Sequence, residues 1–136
     1  MRIKATLPTM VVGITLLLAS GPVWAHHAMI WQFALDKPVT LNGTLTKMDW
    51  KNPHGWIYID VKRADGEVEN WAVETGSPFK MQKGGLKKGD FQPGTKIIVG
   101  GFLAKDGTRT AAGLVVVFPD REVSTPDQPS TFALGR

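Results

Sequence analysis

Three histidines are the only imidazoles in the chain, and two of them, His26 and His27, are adjacent. The third, His54, lies in "WKNPHGW", where Asn-Pro starts a turn and glycine follows. A histidine at a free N-terminus offers both its α-amine and a ring nitrogen to one metal ion. Imidazole nitrogen suits copper, zinc and nickel, and copper(II) favours flat, nitrogen-rich sites. A second imidazole across the site, from His27 or His54, would complete a histidine brace, and all three histidines could converge on one ion. Met29 adds a soft thioether suited to copper(I), or else a hydrophobic contact.

That chemistry requires His26 to become the first residue, and the preceding segment is built for it. Arg2 and Lys4 open the chain, Met10 to Ala19 is apolar apart from Gly13 and Thr15, and Ser20-Gly21-Pro22 breaks the run. Val23 and Ala25 supply small residues at the positions a signal peptidase reads. The apolar run is about half the ~20 residues of a membrane-spanning helix. Residues 1–25 therefore read as a cleavable signal peptide, with a retained anchor as the alternative. Removal would deliver a periplasmic or secreted protein that starts at His26 and has no stable membrane span.

Composition narrows the function further. The chain has no cysteine, which excludes thiolate metal sites, cysteine nucleophiles and a disulfide framework. The formal charge of +4 includes Arg2 and Lys4, so it argues little for nucleic acid as a partner. No phosphate loop or dinucleotide fingerprint occurs. Ser77 and Ser124 have no histidine close in sequence, and Asp49 and Asp60 read as solvent-facing strand-end carboxylates. No catalytic residue is assigned.

The elements that must position the histidines are strands. Lys37–Trp50 alternates, with Val39, Leu41, Gly43, Leu45 and Lys47 on one parity, and Gly43 marks a bend or bulge. Trp56–Lys62 and Val68–Glu74 follow, joined through Asp65-Gly66. Ser77-Pro78 reads as an N-cap and first helical residue, and Gly84-Gly85 stops the helix after one or two turns. Lys96–Ala104 and Thr110–Phe118 flank a second Asp-Gly turn. The prediction is all-β: a small five-stranded OB-fold-like barrel over 26–118, with a short helical connection between the third and fourth strands. A five-stranded sandwich is the competitor. Residues 119–136 are expected to form a flexible tail.

Trp50, Trp56 and Trp71 form a second constellation. Aromatics on such strands stack ligands or, more commonly, fill a small core. With Asn52 and Glu74 they make up a candidate ligand face. Glu74 could hydrogen-bond Trp50, Trp71 or the histidine, or stand solvated at a strand end. His54 could instead bond the Asn52 or Gly55 backbone and fix the turn.

The post-signal "AHH", "KPVTLNGTLTKMDWKNPHGWIYIDV", "NWAVETGSP" and "QPGTKIIVGGFLAKDGT" together resemble a family of small exported bacterial proteins catalogued as a domain of unknown function. Trp-x-Asn-Pro-His-x-Trp is the most specific part of the resemblance, which runs from His26 to Val117. It implies an exported β-rich domain and brings no activity with it. "KGGLKKGDFQPG" is longer or differently punctuated than the family's usual helix-to-strand connection. Two functions are expected to compete: a carrier of copper or zinc, and a module binding a small ligand or protein partner without metal. A copper-dependent oxidative enzyme is the third.

Overall fold

A computed structural model describes residues 29–121 and 130–136. The expected signal peptide, His26, His27 and Ser124 lie outside these residues. After a helical turn at 29–32 come β1 (Phe33–Asp49), β2 (Trp56–Lys62) and β3 (Val68–Glu74). Helix α1 (Pro78–Lys83) and a 3-10 turn at Lys88–Asp90 lead to β4 (Lys96–Ala104), β5 (Thr110–Val117) and β6 (Thr131–Ala133). No helix among the described residues is long and apolar enough to cross a membrane.

The first five strands close on themselves. β1 pairs antiparallel with β2 and with β4, β2 with β3, and β4 with β5, while β3 runs parallel to β5. The result is a ring of five strands in a mostly antiparallel sheet, with the short helix between the third and fourth strands as expected. One face of each strand fills the interior. Leu41, Leu45, Ile57, Ile59, Val73, Ile97, Val99, Ala111 and Val116 are buried, and Met81 of α1 joins them. Ser77 caps α1, its Oγ accepting the Lys80 backbone N–H at 3.3 Å, and Pro78 occupies the first turn, where no backbone donor is needed.

Three expectations need correction. β1 begins at Phe33, because Phe33 and Ala34 are buried and Phe33 pairs with Ala104 ahead of an irregularity that extends to Pro38. Lys47 does not share the inward parity of Leu41 and Leu45. A bulge between Leu45 and Lys47 shifts the phase, so Met48 packs on the core and Lys47 reaches Asp49 at 2.8 Å in solvent. Finally, the segment expected to be a tail ends in structure. Phe132 and Leu134 are buried, and Thr131–Ala133 adds antiparallel to β5 as a sixth strand.

Candidate functional site

The end of β3 carries a buried carboxylate. Glu74 stands opposite Trp56 on β2 and Ala112 on β5, and only 6 % of it is exposed. A buried carboxylate needs partners, and two cations or donors supply them. His54, in the turn between β1 and β2, turns its Nδ1 to Glu74 Oε1. Arg136 brings Nη2 to 2.7 Å from the same oxygen, and its guanidinium lies 5.2 Å from the Phe33 ring centroid. Burial pushes the Arg136 guanidinium below its ordinary value, and Glu74 counteracts that. The Arg136–Glu74 contact is close but poorly aligned. Nε and Nη2 of Arg136 are enclosed without a hydrogen-bond partner among the described residues.

The backbone that holds these groups is tightly fitted. The turn before β2 contains a cis Asn52–Pro53 peptide. Gly55 and Gly76 are joined by backbone hydrogen bonds, with Gly55 N–H donating to Gly76 O at 3.0 Å and Thr75 N–H to Gly55 O at 2.9 Å. Gly76 N–H in turn donates to Leu134 O at 2.7 Å. A Cβ on Gly76 would collide with the Gly135 carbonyl, so the close approach of these segments requires glycine.

Two openings lie beside the His54–Glu74–Arg136 cluster. One is a cleft of about 470 Å³ walled by Trp31, Phe33 and Trp56, with Lys105, Asp106 and Thr110 on its rim and Glu74 in its lining. Trp31 is 77 % exposed there, and Lys105 Nζ is tied to the Ile30 carbonyl at 2.7 Å. The other is a pocket of about 130 Å³ lined by Met29, His54, Ser77, Lys80 and Arg136, with Pro53, Gly76 and Gly135 as its backbone walls.

The candidates read from sequence divide accordingly. Of the three open partners for Glu74, the fold supplies the histidine. Trp56 joins the same site. Trp50 and Trp71 do not: Trp50 packs against Phe91 with ring centroids 5.7 Å apart, and Trp71 packs on the core while its Nε1 donates to Glu69 Oε2 at 3.0 Å. Asn52 is exposed beside the turn. Ser77, remote from any histidine in sequence, shares the smaller pocket with His54. No group of three histidine, aspartate or glutamate side chains poised for a metal occurs among the described residues. Arg136, Phe33 and Trp31 were missed by sequence reasoning. The alternation of Phe132 and Leu134 was the available signal for the segment that carries Arg136.

A family model described as a family of unknown function (DUF6152) matches residues 14–114, and the chain belongs to that family. The match includes His54 and Glu74 and stops before β6 and Arg136. Neither a curated protein nor a solved structure matches the chain.

Proposed function

We propose that this member of a family without an assigned activity is an exported metal-binding protein, carrying copper or zinc on His54 and a histidine N-terminus. The observation that carries the reading is the His54–Glu74 pair. A carboxylate on Nδ1 fixes the ring and leaves Nε2 as the nitrogen for a metal, the arrangement in which metal-binding histidines are commonly supported. With 38 % of its side chain exposed, His54 is accessible to an ion from solvent.

Chain length supports the rest of the donor set. Met29 lines the same pocket as His54. In sequence His26 and His27 precede Met29 by three and two residues. Cleavage after Ala25 would add the α-amine of His26 to its ring. Such a terminus with His54 gives the nitrogen-rich set that copper(II) prefers, and zinc is the other ion suited to it. Export into the periplasm, or secretion, follows from the signal-like residues 1–25.

The same reading takes the ring of strands as an OB-fold-like barrel. In that fold the loops after the first and fourth strands border the customary ligand face. Here those loops hold His54 and Lys105–Asp106, which lie on either side of Glu74. The aromatic cleft of about 470 Å³ favours a second reading, a module for a small ligand or partner without metal. A copper-dependent oxidative enzyme, the third reading, would need the brace geometry and an open substrate face.

The test is copper(II) and zinc titration of exported protein whose intact mass begins at His26. Adding one residue ahead of His26, or making His54→Ala, should each weaken copper(II) binding at least roughly tenfold with the circular dichroism unchanged. Equal affinity in all three proteins would leave His54 as a structural turn residue and favour the metal-free module.

A further inference from the structure

The smaller pocket has a chemistry that a metal at His54 does not use. Its floor is Arg136, with 6 % of its side chain exposed and with Nε and Nη2 lacking hydrogen-bond partners among the described residues. Unsatisfied buried donors on a cation are costly, more so than neutral ones. Lys80, on the exposed side of α1, faces the same space and makes no ion pair among the described residues. Ser77 accepts the capping hydrogen bond through Oγ, so its hydroxyl hydrogen is still available to donate. The carboxylate at hand, Glu74, is already shared between His54 and Arg136. Lys80 thus stands beside the Glu74–Arg136 pair as a cation with no ion-pair partner among the described residues.

We propose that this pocket binds a small oxyanion, either a carboxylate or a phosphate-like inorganic ion. At about 130 Å³ it has room for such an ion. Lys80 supplies a mobile positive charge, Ser77 a hydroxyl donor, and a small shift of the Arg136 guanidinium brings an unpaired N–H onto the ligand. Charge-assisted bonds of this type are the stronger class. The inference goes beyond the metal reading and does not depend on it.

The experiment is calorimetric titration of the full chain, freed of metal on a chelating resin, with inorganic phosphate and separately with acetate. Ionic strength is held constant with chloride. Saturable binding of either anion is expected, and the tighter one identifies the source. Lys80→Ala, an exposed substitution that leaves the fold intact, should weaken binding roughly tenfold or more, and Arg136→Met should abolish it. Should Arg136→Met unfold, Lys80→Glu provides the second test and should remove binding. No saturation with either anion, or binding indifferent to Lys80, overturns the proposal. Because metal is absent throughout, failure here leaves the His54 reading standing, and failure of copper binding leaves this one standing.

Discussion

Glu74 and Arg136 form an ion pair in which both partners are largely buried: 8 % and 6 % of their side chains are exposed. The pair joins the end of β3 to the segment after β6, two parts of the chain that no strand pairing connects directly. Because the same Glu74 oxygen also receives His54, the orientation of the imidazole depends on a residue far away in sequence.

Removing the carboxylate should therefore be costly. Glu74→Gln leaves Arg136 buried with its positive charge uncompensated, a change expected to destabilise the fold by about 3 kcal/mol. That corresponds to a fall in Tm on the order of 15 °C for a domain of this size. The double variant Glu74→Gln/Arg136→Met should lose less than Glu74→Gln alone, since it leaves no buried charge unpaired. Urea melts of the three proteins decide it. A single variant as stable as wild type would mean that the pair is solvated in solution.

The strand formed by 131–133 should contribute as core. Leu134 is fully enclosed, and Leu134→Ala should cost about 3 kcal/mol through lost burial and the cavity left behind. A loss below about 0.5 kcal/mol, the range of surface substitutions, would show that 130–136 is the tail the sequence suggested.

Backbone contact at Gly43 makes a contrasting pair of variants. A Cβ there would lie 2.5 Å from the Asp60 carbonyl oxygen, whereas one on Gly89 would meet nothing within 4 Å. Gly43→Ala should destabilise by about 2 kcal/mol, as overpacking does, and Gly89→Ala should stay close to neutral. Thermal melts showing equal effects at the two positions would rule out the close β1–β2 approach.

The turn from β4 to β5 has a readable acid response. Thr108 donates to Asp106 Oδ1 from its backbone N–H at 3.0 Å and its hydroxyl at 2.7 Å, holding the carboxyl below its ordinary range. A carboxyl depressed in the folded state adds stability above its unfolded value, about 4, and loses that stability as pH falls toward the folded value. Asp106→Asn should remove that contribution, lowering stability above about pH 4, and should flatten this part of the acid profile. An NMR titration placing the Asp106 carboxyl at or above the ordinary range would contradict it.

Much of this fold was legible because its signals are local. Alternation over Trp56–Lys62 and Val68–Glu74, Asp-Gly at both hairpin turns, and Ser77-Pro78 at the helix start each act within a few residues. The bulge near Thr46 was not, because parity counts residues and an inserted one leaves no mark in composition. His54 stood out as a rare residue type in a turn, and Glu74 as its potential partner. Arg136 did not, since Phe132 and Leu134 give only two apolar beats after a stretch rich in proline and charge. Its role depends on β5 offering an edge, which is a property of the assembled sheet.

The parallel seam between β3 and β5 also dictates when the site can exist. Its rungs join Ala72 to Thr110 and Glu74 to Ala112, residues far apart along the chain. Such a seam must close a long loop before its contacts repay the entropy, so it belongs late in folding. Glu74 occupies its last rung, and Arg136 follows the strand that docks on β5. A chain emerging in order would thus carry the His54–Glu74 pair without Arg136 until β6 has docked. The imidazole gains its buried carboxylate partner only with the long-range closure of the ring, not from the local turn that carries it.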